Sequence, residues 1–317
     1  MGKSHRRDFL KNIAIVGASA SLNPRAIFSQ TSEIKRKKGI SQIRIPITMC
    51  HGIDGHSPLV NGKKRPPLNI ENFRNYFRIA SEMDFTSISY DQLAVWKRGE
   101  ADLPARPIMF DFDHPTKSIR HDIQPVMKEL GFKGNLFIQT APMEEMYSGK
   151  MPDFDERRWM TWEEIGELMD EGWHIGAHTH NHPNLSALSE KDPTGEKIRE
   201  ELVTNDTILK RELGITPKDF AFTGTSWSSA AEREVKKRYR FGRLWIIGSV
   251  YQVDGEKMRY AEFVGIPGDD EKDGGPPYAA RYITKDSPPY KLPSMEFEFL
   301  IYKYDAFQRY LEGALEI

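Results

Sequence analysis

Thr161-Trp162-Glu163-Glu164-Ile165-Gly166-Glu167-Leu168-Met169-Asp170-Glu171-Gly172-Trp173-His174-Ile175-Gly176-Ala177-His178-Thr179-His180-Asn181-His182-Pro183 holds, in order, a helix, a strand and a histidine cluster. Thr161 with Glu164 three residues on is a capping box, in which each side chain satisfies a backbone N–H that the first helical turn leaves open. Ile165, Leu168 and Met169 fall on one helical face, and Gly172 supplies the stop. Trp173 to Ala177 then reads as a short buried strand.

The same alternation continues outward. Upstream, Ile43 to Cys50 is the first strand, and Asn69 to Met83 carries Ile70, Phe73, Phe77 and Ala80 at helical spacing. Pro107 to Phe110 is an apolar run that stops at two aspartates. Ile119, Ile123, Val126, Met127 and Leu130 form a helical stripe closed by Gly131, and Asn135 to Gln139 is a strand. Downstream, Ile198, Leu202, Leu209 and Leu213 mark a longer helix ending at Gly214, before a strand at Phe220 to Phe222. Strands and helices joined by short connections imply parallel strands with helices packed outside. The expectation is one α/β domain over residues 40–317, a closed or partly open, distorted (β/α) barrel, with a doubly wound open sheet as the alternative. A divergent C-terminal region begins near residue 251: Gly268 to Pro277 suits neither helix nor strand, and a last strand (Phe297 to Tyr302) and helix (Ala306 to Ala314) follow.

Composition narrows the function classes. Of 317 residues, 45 are Lys or Arg and 46 Asp or Glu, a net charge of −1 that argues against a protein built to coat nucleic acid. With 38% hydrophobic residues the chain can bury a sizeable core, and its single cysteine, Cys50, excludes an internal disulfide framework and any Cys-rich metal site. Cys50 reads as a small core residue. No apolar run reaches the roughly 20 residues that span a bilayer. The sequence leaves the oligomeric state open.

At the amino terminus, Arg6-Arg7-Asp8-Phe9-Leu10-Lys11 followed by a modest apolar stretch (Ile13 to Leu22) resembles a bacterial twin-arginine export signal over residues 1–30. Residues 31–39, with Lys35-Arg36-Lys37-Lys38, read as a basic linker. Export to the periplasm or the extracellular space is the expectation.

Chemistry gathers where parallel strands end at their carboxyl side. Two ends stand out, Phe110-Asp111-Phe112-Asp113-His114-Pro115 and His178-Thr179-His180-Asn181-His182-Pro183. His178 and His182 are four apart, so one turn brings both imidazoles to one side. A carboxylate from the neighbouring strand end would complete a two-nitrogen, one-oxygen set with positions open for water and substrate, the pattern of catalytic zinc. His180 is a further candidate ligand, and His174 a core or supporting group.

On these motifs the chain resembles the polysaccharide deacetylases of the NodB-homology group, carbohydrate esterase family four. That family pairs Thr-Phe-Asp-Asp-Gly with His-Ser/Thr-x-x-His around a divalent metal on a distorted (β/α) barrel. His178 to Pro183 fits the second motif, and Ile45 to His51, Phe85 to Ser89, Gly131 to Phe137 and Met160 to Trp162 fall in the family's usual order. The first motif departs, with Phe112 between the aspartates and no glycine. The third motif reads Phe220-Ala221-Phe222-Thr223-Gly224-Thr225-Ser226-Trp227, without the family's arginine and proline, and no histidine follows His182 where a late Leu-x-His is usual.

The resemblance implies a zinc-dependent hydrolase that removes N-acetyl groups from an extracytoplasmic polysaccharide, a C–N hydrolysis outside peptide bonds. It implies Asp111 as base and Asp113, His178 and His182 as metal ligands. His51, His114 and His180, or solvent, are candidates to protonate the leaving amine. Thr223, Thr225 and Trp227 are candidate substrate contacts, with Trp245 as a further sugar-stacking aromatic. A carbohydrate-binding protein that has lost catalysis, and a small-molecule amide or ester hydrolase, are the alternatives.

Overall fold

The computed structural model describes residues 43–53, 59–60, 62–65, 68–148 and 159–316. The export signal and linker expected over residues 1–39 lie outside the described residues. Among the described residues no helix is long and apolar enough to cross a membrane.

Six parallel strands form the frame: β1 (Ile45–Cys50), β2 (Pro107–Asp113), β3 (Asn135–Ile138), β4 (His174–Ala177), β5 (Asp219–Ala221) and β6 (Phe241–Arg243). They lie side by side in the order β6-β5-β4-β3-β2-β1. A short strand, β7 (Met295–Glu296), runs parallel to β1, with Thr48 opposite Met295. The chain leading into β7 also bonds to the other edge: Leu244 N donates to Leu292 O at 2.8 Å and Ile246 N to Ser294 O at 2.9 Å. Residues 289–296 therefore bridge β6 and β1, and the sheet curls into a distorted (β/α) barrel instead of staying open.

Alternation along each strand divides two cores. On β2, Phe110 and Phe112 point outward into the layer of Phe77, Phe132 and Ile123, whereas Met109 faces an interior cluster with Ile45, Ile47, Phe137, Ala221 and Phe241. Asp111 and Asp113 share the face of Met109, so strand period alone puts two carboxylates inside the barrel. β2 does not stop at the aspartates but runs through them, with Asp111 opposite Asn135 and Asp113 opposite Phe137.

The helices begin and end where their caps place them. Asn69 caps Ile70–Glu82, Thr161 closes a capping box on Trp162–Asp170, and Gly214 ends Glu196–Leu213 in the left-handed conformation. Gly268 to Pro277 holds no regular element. One expectation is corrected. Phe297–Tyr302 is a helix, not a strand. Phe297 and Leu300, three apart, are its buried residues, and Phe297 stacks on Phe73 at 5.2 Å and meets Phe307 edge-on at 5.2 Å. Burial on one helical face outweighs the strand propensity of an aromatic, β-branched run.

Candidate metal and active site

The carboxyl ends of β2 and β4 bring three imidazoles together. One ligand nitrogen each of His114, His178 and His182 lies within 4.8 Å of the others. The ring centroids are 4.8 Å apart for His178–His182, 4.9 Å for His114–His182 and 5.2 Å for His114–His178. The backbone is bent to achieve this. His114, Thr179 and His182 have φ values of 65°, 64° and 58°, left-handed conformations that non-glycine residues adopt at a cost. Helix Glu196–Leu213 supports the bend. Asn205 Nδ2 donates to Thr179 O at 2.5 Å and to Ile138 O at 2.9 Å, and Glu201 Oε2 accepts from the N–H of His180 at 3.1 Å and of Asn181 at 2.7 Å.

Tautomer and protonation are set by these neighbours. His178 Nδ1 lies 2.9 Å from Ala221 O and donates to it, which turns the Nε2 lone pair toward the other two rings. Buried His178 Nε2 and His114 Nδ1 have no hydrogen-bond partner in the protein. Burial first, then the other histidines, push His114 well below the usual imidazole range. His178 is lowered to about 3, and His182 is lowered as well, burial leading in both. The rings are thus neutral at pH 7, the state in which imidazole binds a metal. Two orphaned ring nitrogens beside a third imidazole fit a divalent cation.

Beneath the imidazoles lies a buried charge network. Arg243, fully buried on β6, donates through Nη2 to Asp113 Oδ1, and its Nε lies 3.3 Å from Asp111 Oδ2. Its guanidinium sits over the Phe137 ring at 5.0 Å. Asp113 Oδ2 is 3.8 Å from His178 Nε2. Asp111 lies deeper, with Oδ2 accepting from Tyr90 Oη at 2.6 Å and Oδ1 from Asn135 Nδ2 at 2.9 Å. The two carboxyls differ accordingly. Burial dominates Asp111 and raises it to about 6, whereas Arg243 and His178 overcome the burial of Asp113 and hold it below the usual carboxylate range.

Residues 100–240 match the family model described as polysaccharide deacetylase. Over that segment the chain is similar to the polysaccharide deacetylase family. Among solved structures it resembles the Streptococcus pyogenes deacetylase PplD in complex with acetate, at 14% identity and a TM-score of 0.58, covering 81% of this chain and 93% of that one. The BpsB deacetylase domain from Bordetella bronchiseptica matches at 14% identity and a TM-score of 0.58, covering 80% and 96%. IcaB from Ammonifex degensii matches at 14% identity and a TM-score of 0.54, covering 86% and 97%. These likenesses extend over nearly the whole of each relative and concern the fold. No curated protein sequence matches the chain.

Within this deacetylase fold the remaining expected residues take different places. His51, at the end of β1, stacks on His114 with centroids 5.4 Å apart and meets Trp245 edge-on at 5.5 Å. His180 turns aside, its Nδ1 2.9 Å from Thr140 Oγ1. Thr223 is buried and gives its hydroxyl to Pro183 O. Thr225 is half-buried. Trp227 is buried against Phe263, ring centroids 5.0 Å apart, with Lys291 Nζ 4.8 Å from its ring centre. The residue is 7% exposed. The aromatic that reaches the histidines is Trp245, whose indole donates to buried Glu296 Oε2 at 2.6 Å. Burial, then Glu298, push Glu296 well above the usual carboxyl range.

The sequence reading passed over Arg243, Tyr90, Asn135 and Glu296. Arg243 carried a signal nonetheless: a cation inside the strand-like run Phe241-Gly242-Arg243-Leu244-Trp245 needs a buried anion. It stands one strand beyond the third motif, which itself lacks an arginine.

Proposed function

We propose that this chain is a metal-dependent hydrolase that removes N-acetyl groups from an exported polysaccharide. The observation that carries the reading is the meeting, at the carboxyl end of the barrel, of three neutral imidazoles with an aspartate held ionised by a buried arginine. A divalent ion bound there, zinc by the chemistry of the nitrogen donors, would acidify a water and polarise the acetyl carbonyl. The protein's own groups do the rest. A β2 aspartate takes the proton of the attacking water. His51 protonates the departing amine, since it stacks over His114 at the rim of the cluster. Trp245 braces His51 and offers an indole to a sugar ring, fixed in place by Glu296. The paired arginines near the amino terminus support export, hence a substrate outside the cytoplasm.

The test is deacetylation of N-acetylglucosamine oligomers by chain stripped with chelator and reloaded with zinc. Activity that disappears on stripping and returns with zinc is the expected outcome. The lack of any histidine after His182 favours one other reading, a binding protein on the same barrel. Oligomer binding with no acetate release by the zinc-loaded chain would establish that reading and end the catalytic one.

A further inference from the structure

We propose that the metal is held by His114, His178 and His182 alone, with Asp113 left outside as the carboxylate that receives the proton and Asp111 as a buried anchor. This rests on the deacetylase reading for its chemistry and revises the ligand set that the sequence suggests. Four observations carry it. The three imidazoles offer nitrogens within 4.8 Å of one another, and Asp113 is not among the side chains so gathered. Buried His114 Nδ1 and His178 Nε2 have no protein partner, so each leaves a lone pair or a proton unsatisfied unless something else meets it. His114 sits at φ 65°, a conformation that breaks the alternation of β2 and directs residue 114 to the same pocket as its neighbour Asp113. Arg243 grips Asp113 through Nη2 and so already compensates its charge.

Both oxygens of Asp111 already have protein partners, Oδ2 with Tyr90 Oη and beside Arg243 Nε, and Oδ1 with Asn135 Nδ2. Asp113, nearer the strand end, has one oxygen on Arg243 and the other 3.8 Å from His178 Nε2. It is the carboxylate in reach. Three neutral imidazoles without a carboxylate also select among metals: zinc and its nitrogen-preferring neighbours are favoured over magnesium and calcium, which take oxygen ligands.

Zinc binding to the full chain, measured by calorimetry on stripped wild type, His114→Ala and Asp113→Asn, reads the ligand set without reference to turnover. The expected pattern is zinc affinity weakened at least about 100-fold in His114→Ala but held within about 10-fold in Asp113→Asn. Deacetylation in Asp113→Asn falls by about 100-fold or more. The reverse pattern, zinc lost with Asp113 and kept without His114, overturns the proposal. X-ray absorption of zinc-loaded wild type needs no variant to fold. Three imidazoles in the first coordination sphere support the assignment, and two imidazoles with a carboxylate overturn it. A three-imidazole zinc site without deacetylation would instead remove the function proposed above and leave the ligand set standing.

Discussion

The two ends of the barrel carry the same residue types and use them in opposite ways. At the amino end, His174 Nε2 lies 3.1 Å from Asp219 Oδ2, and Asp219 is held by Arg240 through Nη2 at 2.5 Å and Nε at 3.2 Å. Arg240 also reaches Asp91 at 2.7 Å. Charges there are paired, and no residue of the cluster has a positive φ. At the carboxyl end, two imidazole nitrogens are left without protein partners and His114, Thr179 and His182 hold left-handed backbone. Among the described residues the other non-glycine residues with positive φ are Asp84, Asp254 and Asp305, of a type that tolerates that region. Left-handed backbone concentrated at one end, beside three converging imidazoles, marks it as built for a ligand, and ion pairs on unstrained backbone mark the other as built for stability.

The largest expected effect tests that division directly. His178→Ala should lower zinc-dependent deacetylation more than about 100-fold, while His174→Ala, only one strand length away, should change it less than about 3-fold. Comparable losses in steady-state assays would break the contrast. Next in size, Arg243→Met removes the cation from between two buried aspartates and should destabilise the fold by roughly 3–5 kcal/mol, against about 1–2 kcal/mol for the partly exposed Arg240→Met. Chemical denaturation at pH 7 reads both, and equal costs would mean the two networks are equivalent. The smallest effect comes from a carboxyl belonging to neither end. Asp206, bonded by Tyr239 Oη at 2.7 Å, is raised to about 6, burial being the main cause. The folded state therefore binds its proton more tightly than the unfolded chain, and the stability this provides is present at pH 4 and lost as pH rises through 6. Asp206→Asn should gain roughly 1–2 kcal/mol over wild type at pH 8, with the gain vanishing near pH 4. A pH-independent difference in melting would exclude this account.

Much of the frame was legible because the forces that set it are local. The caps at Asn69 and Thr161, the glycines at 131, 172 and 214, and the switch between periods of two and 3.6 residues all act within a few residues of chain. The histidine pair at 178 and 182 was legible for the same reason. His114 was legible as a candidate proton donor but not as a nitrogen beside those of His178 and His182, since alternation along β2 sends the residue after Asp113 to the far face and only the turn at φ 65° brings it back. Trp227 and Trp245 are alike in sequence. One is packed under Phe263 and Lys291 and the other stands beside His51, a difference set by neighbours distant in the chain. The misread Phe297–Tyr302 segment follows the same logic, for its helical face is chosen by Phe73 and Phe307.

By itself the sequence determined the alternation of strands and helices, their caps, and the pair of polar strand ends, because each depends on energies between near neighbours. Only the tertiary structure decided that residues 289–296 join the two edges of the sheet, that Arg243 lies between Asp111 and Asp113, and that His114 meets His178 and His182. Those pairings bring together residues that begin far apart along the chain. Their cost in chain entropy and buried charge is met only when the whole barrel has formed.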